Sequence, residues 1–344
     1  MSRTRIALGS ALVVCVVLSA SLASAQAAVS IKLASVVPAG SVWDKNLKQM
    51  GTEWTEATGG RVTLTVYPGG TQGDEATALR KMRLDALQAA ALTGAGLGGI
   101  DPAFNLFNIP FFLESYDELN AVTDALTPTL TKRLDSKGFV FIGWGHGGWT
   151  QVFTKKPVKT VDDLKKAKLW TSAGNDIMVQ WFKANGFEPR AMAMTDIMTG
   201  LTTGMVEAVP TTPLAALLFQ WYKQTPNMLD IGLAPVVGAV VVTKKAWTPI
   251  PAADRPKLMA AAAGLQQRLQ DEVPKLDASS ITEMTKRGLV VTKASGPEWR
   301  AEVGKLAATM RGQMVPKDIY DLALKARDGY RKLHPPQAQA PAGK

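Results

Sequence analysis

Residues 58–75 read TGGRVTLTVYPGGTQGDE. The segment RVTLTVY alternates polar and apolar residues, which is the period of a strand with one buried face, so residues 61–67 are predicted to form a β-strand. The run PGGTQG follows, and Asp74 after it is a residue typical of a helix start. This run lacks the Lys and Ser/Thr that complete a nucleotide-binding loop. We therefore interpret it as a tight turn that leads from a strand into a helix.

Helix and strand patterns alternate outward from this stretch. A helical run at residues 42–57 precedes it. Residues 86–92 and 139–144 are predicted strands, and a helix at residues 116–134 separates them. Such alternation predicts a mainly parallel sheet covered by helices.

The same pattern starts again after Trp149. Its predicted elements lie at residues 151–154, 176–185, 195–203 and 205–209. Residues 236–243 form a nearly continuous run of β-branched residues, which is typical of a strand that is buried on both faces. The length of 344 residues suits two α/β units of ordinary size.

A long helix is predicted at residues 252–287, where apolar residues recur at helical spacing. At 1.5 Å per residue it would approach roughly 54 Å, so we expect it to run across both units, with a kink at Pro274. A strand at residues 289–292 and helices at 298–311 and 317–333 complete the predicted fold. Residues 335–344 have the composition of a disordered tail.

The N-terminus has the pattern of a cleavable secretory signal. Arg3 and Arg5 precede an apolar run of roughly 17 residues, which is shorter and more polar than a membrane-spanning helix, and small residues follow it. We predict that residues 1–27 are removed and that the mature chain lies beyond the inner membrane, in the periplasm. The single cysteine, Cys15, falls in the removed segment, so a mature chain without disulfides or thiol nucleophiles is expected.

Charge and histidine content argue against several classes of function. The net charge of +10 is compatible with nucleic-acid binding, but the lysines stand in pairs at element ends and an exported chain rarely meets nucleic acid, so no such partner is predicted. The two histidines, His146 and His334, cannot form a metal site or assist a nucleophile together. We predict no metal, no cofactor and no catalytic residue. His146 is flanked by glycines and is a candidate for ligand contact, although a pairing with backbone is about equally consistent with its position.

Three further segments stand out beside the opening stretch. They are NIPFFLESYDEL from Asn108, KKPVKTVDDLKKAKLW from Lys155, and GLTTGMVEAVPTTPLAALLFQWYKQTPNML from Gly200. In their order and spacing, the four segments resemble the periplasmic solute-binding subunits of tripartite ATP-independent periplasmic (TRAP) transporters, of the dicarboxylate-binding DctP type. The resemblance runs from about residue 31 to residue 333.

This resemblance implies an α/β fold of the type II periplasmic-binding-protein kind, with two α/β domains around a ligand cleft and a long domain-spanning helix. The expected domains are residues 29–149 with 237–285 and residues 150–236 with 286–334. The implied function is the capture of a small organic solute, an organic acid or an amphipathic aromatic or aliphatic molecule, by hinge closure. Small and large integral membrane subunits are the implied partners, and a monomer is favoured. An exported ligand-sensing protein and, less favoured, an exported enzyme remain as alternatives.

The sequence departs from the family where most members hold the ligand's carboxylate. The usual arginine of a K-x-R segment is replaced by Trp170, and a second expected arginine is replaced around Trp149 or Thr150. Without a guanidinium, bidentate carboxylate recognition is lost there, and two indoles facing a cleft would offer flat apolar walls or a ring face for a cation. The alternative is that both tryptophans are buried at the hinge. Arg190 is a candidate for supplying the missing charge from another direction.

The resemblance also implies which further residues contact the ligand. In open α/β sheets, ligands bind outside the carboxyl ends of the strands, which is where these residues are expected. The expected lining comprises residues 37–41, Gln72, Asp74, Glu75, Trp149, Trp170, Thr211 and Thr212.

Overall fold

The computed structural model describes residues 28–294 and 297–335, and it contains two β-sheets with helices packed around them. The predicted signal segment and nearly all of the predicted tail lie outside the described residues and stay predictions. The strands are β1 (Val29–Ser35), β2 (Val62–Tyr67), β3 (Ala89–Thr93), β4 (Phe139–Trp149), β5 (Gln151–Thr154), β6 (Lys168–Ser172), β7 (Glu188–Met192), β8 (Ala208–Thr211), β9 (Asn227–Asp230), β10 (Pro235–Thr243) and β11 (Val290–Lys293).

Helices lie between nearly all of these strands. The α-helices are α1 (Val42–Ala57), α2 (Glu75–Arg83), α3 (Gly94–Ile100), α4 (Tyr116–Ser136), α5 (Val161–Lys165), α6 (Asp176–Ala184), α7 (Ile197–Thr203), α8 (Pro213–Leu218), α9 (Lys244–Trp247), α10 (Arg255–Lys286), α11 (Pro297–Ala308) and α12 (Lys317–Leu333). Short 3-10 helices lie at Pro102–Asn108, Met194–Asp196 and Trp221–Lys223.

The first sheet has the strand order β2-β1-β3-β10-β4, and the second has the order β11-β9-β5-β8-β6-β7. In the first, β1 pairs in parallel with β2 and β3, while β10 is antiparallel to β3 and β4. In the second, β6 is parallel to β7 and β8, and β5 is antiparallel to β8 and β9. The α/β class predicted from the alternation of elements is therefore confirmed.

The opening stretch folds as its pattern predicts. Strand β2 occupies residues 62–67, and Asp74 is the N-cap of α2, where its carboxylate accepts the backbone N–H of Thr77 at 2.9 Å. Such a cap satisfies one of the unpaired N–H groups at a helix start. Gly69, Gly70 and Gly73 all have positive φ angles, which glycine adopts without strain.

Helix α10 connects the cores of the two sheets. Its 32 residues span about 48 Å at 1.5 Å per residue. Leu265 and Leu269 belong to a core cluster of the first sheet, whereas Met284 packs with Phe153 of the second. Pro274 lies inside the helix without ending it.

Several element boundaries differ from the prediction. The strand predicted at residues 205–209 is wrong by three residues at its start, because β8 begins at Ala208 and Met205 is 57% exposed. Strands β6 and β9 were not predicted. Their sequences, KLWTS and NMLD, mix charged with apolar residues and are too short to show a clear period.

Candidate ligand-binding cleft

The chain passes between strands of the two sheets three times. Strand β4 continues into β5 around Thr150, β9 returns to β10 through residues 231–234, and α10 leads to β11. Thr150 pairs with the second of these crossings, since its N–H donates to the carbonyl of Ala234 at 2.8 Å and its carbonyl accepts the N–H of Leu233 at 2.9 Å. These two crossings therefore form one hydrogen-bonded hinge.

Asp277 of α10 ties this hinge to the helix. Its two carboxylate oxygens accept the backbone N–H of Trp149 at 3.0 Å and that of Leu214 at 2.9 Å. Gly148 has a φ of +100°, and a Cβ there would lie 2.8 Å from the carboxylate, so glycine allows this close approach. Burial raises the pKa of Asp277 to about 6. The same burial, together with the charge of Asp277, raises the pKa of the neighbouring Tyr116.

A cleft of about 340 Å³ lies between the two sheets. It collects the carboxyl ends of strands from both, at Thr93 of β3, Ser172 of β6 and Thr211 of β8. The volume falls in the range of pockets that enclose a small organic molecule. From the cleft, the cavity continues into the apolar interior of the second sheet, where Phe182 and Trp299 line it.

The described residues that line the cleft include no Lys, Arg, Asp or Glu side chain. Its polar lining consists of hydroxyl, amide and imidazole groups, from Thr93, Asn108, His146, Thr150, Thr171, Ser172, Asn175, Thr211 and Thr212. Most of the remaining lining residues are aliphatic, and rings such as Trp43, Trp170 and Phe219 lie among them. The cleft is therefore uncharged and mostly apolar.

The chain matches the model of the family described as bacterial extracellular solute-binding protein, family 7 (DctP), over residues 33–313. It belongs to this family. Family 7 consists of solute-binding proteins, and this chain is one of them.

Individual relatives are distant in sequence and similar in fold. The chain is 25% identical to a solute-binding protein of Sulfitobacter sp. strain NAS-14.1 over 233 residues, 67% of this chain and 70% of that protein. It is 30% identical to a solute-binding protein of Chromohalobacter salexigens over 165 residues, 47% of this chain and 49% of that protein. A TRAP periplasmic solute-binding protein of Xanthobacter autotrophicus Py2, solved with bound β-D-galacturonate, superposes with a TM-score of 0.80 at 20% identity and covers 87% of this chain and 99% of its own.

Trp170 forms part of the cleft wall in this family 7 protein. The half-buried indole lies on β6 and packs with a cluster that includes Met192 and Phe219. Its Nε1 donates to the carbonyl of Met192 at 3.2 Å, so the one polar atom of the ring is already used. The ring therefore offers apolar surface at the position where the resemblance predicts an arginine.

Trp149 lies elsewhere, outside the residues that line the cleft. Its ring packs edge-on against Tyr116 with centroids 5.4 Å apart, and it faces a second cavity that Phe111, Gly232 and Arg300 also line. The structure does not bring Trp149 and Trp170 together.

Thr211, Thr212 and His146 do line the cleft. Thr212 is also the N-cap of α8, where its hydroxyl accepts the N–H of Ala215 at 3.3 Å. His146 is 5% exposed, and burial lowers its pKa to about 4. Its Nδ1 is buried without a hydrogen-bond partner.

The acidic residues of the opening stretch lie behind the cleft. Asp74 caps α2, and Gln72 accepts from the ammonium of Lys81. Glu75 is buried and accepts both the N–H and the hydroxyl of Thr93, the latter at 2.8 Å, which fixes a residue that does line the cleft. Burial raises the pKa of Glu75.

Arg190 is 40% exposed on the edge strand β7 and forms an ion pair with Glu188. It is absent from the described lining of the cleft.

Sequence reasoning did not single out Asn108, Asn175 or Thr93 as cleft residues. Asn108 is the first residue of the NIPFF segment, and its place in that segment is the one sequence feature that could have indicated a cleft residue. Asn175 is the N-cap of α6, and its Nδ2 donates to Asn105 at 2.8 Å across the gap between the sheets.

None of the helices in the described ranges is long and apolar enough to cross a bilayer.

Proposed function

We propose that this protein is the periplasmic receptor of a TRAP-type secondary transporter, which binds a small organic solute in its cleft and delivers it to small and large integral membrane subunits. The observation that carries the proposal is an uncharged cleft of about 340 Å³ between two α/β sheets, in a chain of an extracellular solute-binding family. The secretory pattern of the N-terminus supports the location.

The two predicted domains, residues 29–149 with 237–285 and residues 150–236 with 286–334, are proposed to act as the two halves of a clamp. The lining residues come from both halves, so a bound solute would contact both and favour their approach. The hinge is short and hydrogen-bonded, which supports rotation about one axis rather than independent motion. The solute classes that we propose are an organic acid, as in the solved relative with galacturonate, and an amphipathic aromatic or aliphatic molecule.

Uptake measurements test the transport role. The mature protein is purified without denaturation, the solute that it carries is identified by mass spectrometry, and uptake of that labelled solute is followed in cells with and without the gene. We expect loss of the gene to abolish uptake and a plasmid copy to restore it. Unchanged uptake, combined with a lost transcriptional or motility response to the solute, would instead support the sensing alternative.

A further inference from the structure

The cleft has no cation with which to balance an anionic ligand. Trp170 stands where the resemblance predicts an arginine, and the described lining contains neither lysine nor arginine. A carboxylate that leaves water for such a site loses its hydration without gaining an ion pair, which disfavours its binding. Arg190, the candidate cation from the sequence, forms an ion pair with Glu188 at the sheet edge.

A cationic ligand would lack an anionic partner in the cleft. No carboxylate belongs to the described lining, because Glu75 lies behind Thr93. His146 cannot supply a charge at neutral pH, since burial lowers its pKa to about 4. Its imidazole is therefore neutral there, with one nitrogen that donates and one that accepts.

Two polar side chains on the first-sheet side of the cleft have nitrogen atoms without partners. The Nδ2 of Asn108 and the Nδ1 of His146 are both buried and make no hydrogen bond within the described structure. Both residues line the cleft and lie near Val237, because Gly94 is close to Asn108 and to the carbonyl of Val237, and Val237 is the register partner of His146 on β4. Buried polar groups are nearly always satisfied, so these two side chains of the cleft lining would gain a partner if they turned their nitrogens toward a ligand's polar group.

We propose that the cleft binds an uncharged organic molecule, with an apolar body against Trp170 and Phe219 and a carbonyl, amide or hydroxyl group against Asn108 and His146. This inference rests on the proposed solute-binding role and names its ligand class. The apolar continuation of the cavity toward Phe182 and Trp299 gives room for the body, and the two nitrogens recognise the polar end.

Two sets of probes with similar size and different charge test the ligand class. One set is benzamide, benzoate and benzylamine, and the other is D-galactose, D-galacturonate and D-galactosamine. Binding to the purified mature protein is measured by thermal shift and titration calorimetry. We expect the uncharged member of at least one set to bind at least about tenfold more tightly than its charged analogues, the size of one lost hydrogen bond or more.

Asn108→Leu and His146→Phe test the two nitrogens, with Asn120→Leu on α4 and His334→Phe, the other histidine, as controls. Each cleft variant should weaken the bound uncharged probe roughly tenfold. The melting temperature without probe should not fall, because the removed nitrogens had no partner in the protein. The controls should bind as the wild type does. A loss of stability without loss of affinity would show that the two side chains serve folding, and would overturn the proposal.

The outcomes also separate this inference from the proposed function. Tighter binding of benzoate or D-galacturonate than of the uncharged analogue overturns the ligand class and leaves a solute receptor. Tighter binding of an ammonium probe does the same. Failure of every probe, together with a protein purified free of any solute, counts against both proposals.

Discussion

Trp170 and Trp149 show that the surroundings of a tryptophan decide whether its ring lines the cleft. Both indoles stand at positions where the resemblance predicts arginine, and both are half-buried. Trp170 lines the cleft, whereas Trp149 packs on Tyr116 and lines a different cavity. The two tryptophans therefore form a matched pair, in which the same truncation removes a cleft wall in one case and a hinge contact in the other.

We expect Trp170→Ala to weaken binding of the solute carried by the protein by about 1 to 3 kcal/mol, through the loss of apolar and ring contact. Trp149→Ala is the control and should leave affinity nearly unchanged while lowering the free energy of unfolding. Calorimetry gives the affinity, and urea denaturation gives the stability. Equal losses of affinity in both variants would contradict the assignment of the cleft wall.

At the scale of the element, helix α10 and its Asp277 hold the hinge. The carboxylate joins the end of β4 to the start of α8, so it fixes two segments that must keep their relation while the sheets rotate. Its environment has a cost, because a carboxylate in the apolar hinge is harder to ionise than one in water. Tyr116, whose own pKa is raised, is the titratable group that interacts with it.

This cost predicts a pH dependence. The folded-state pKa of Asp277 is about 6, above the usual value of 3.8, so the folded protein holds this proton more strongly than the unfolded chain. Its contribution to stability is therefore full below about pH 4 and is lost as the pH rises through 6. Relative to Asp277→Asn, the wild type should lose about 1 to 3 kcal/mol between pH 4 and pH 7 in urea denaturation. A constant difference between the two proteins would show that Asp277 titrates normally.

At the scale of the whole molecule, the hinge and α10 join the two sheets, and the C-terminal α12 returns to pack on α4 beside the first sheet. Each sheet packs against apolar clusters, and the cluster around the first sheet also takes in Trp181 of α6 and Ala307 of α11. The cleft lies between the sheets. Such an arrangement favours rotation of rigid halves over internal rearrangement, since packed cores resist continuous deformation.

Ligand should therefore make the molecule more compact. We expect the radius of gyration in solution scattering to fall when the solute-free protein is saturated with its carried solute. Trp170→Ala, measured over the same series of solute concentrations, serves as the control and should need more solute for the same decrease in radius. A radius that stays constant at saturation would mean that the protein binds without closing.

Much of the fold could be predicted from the sequence, because local residue patterns determine many of its helices and strands. The alternating strand at residues 61–67, the cap at Asp74 and the long helical run near residues 252–287 each have a physical cause within a few residues, and all three are present in the structure. The prediction that Trp170 replaces the family's usual arginine also came from sequence, because it needed only the position of one residue in a segment, and it stays a prediction.

The composition of the site was decided by tertiary structure. Between His146 and Trp149, β4 has one more residue than its partner β10, and Gly148 adopts a φ of +100° there. This irregularity changes which side of the chain Trp149 faces, and the period of two that a sequence shows cannot reveal it. The unpartnered nitrogens of Asn108 and His146 are likewise a property of packing, because a missing partner depends on distant segments that meet only in the folded chain.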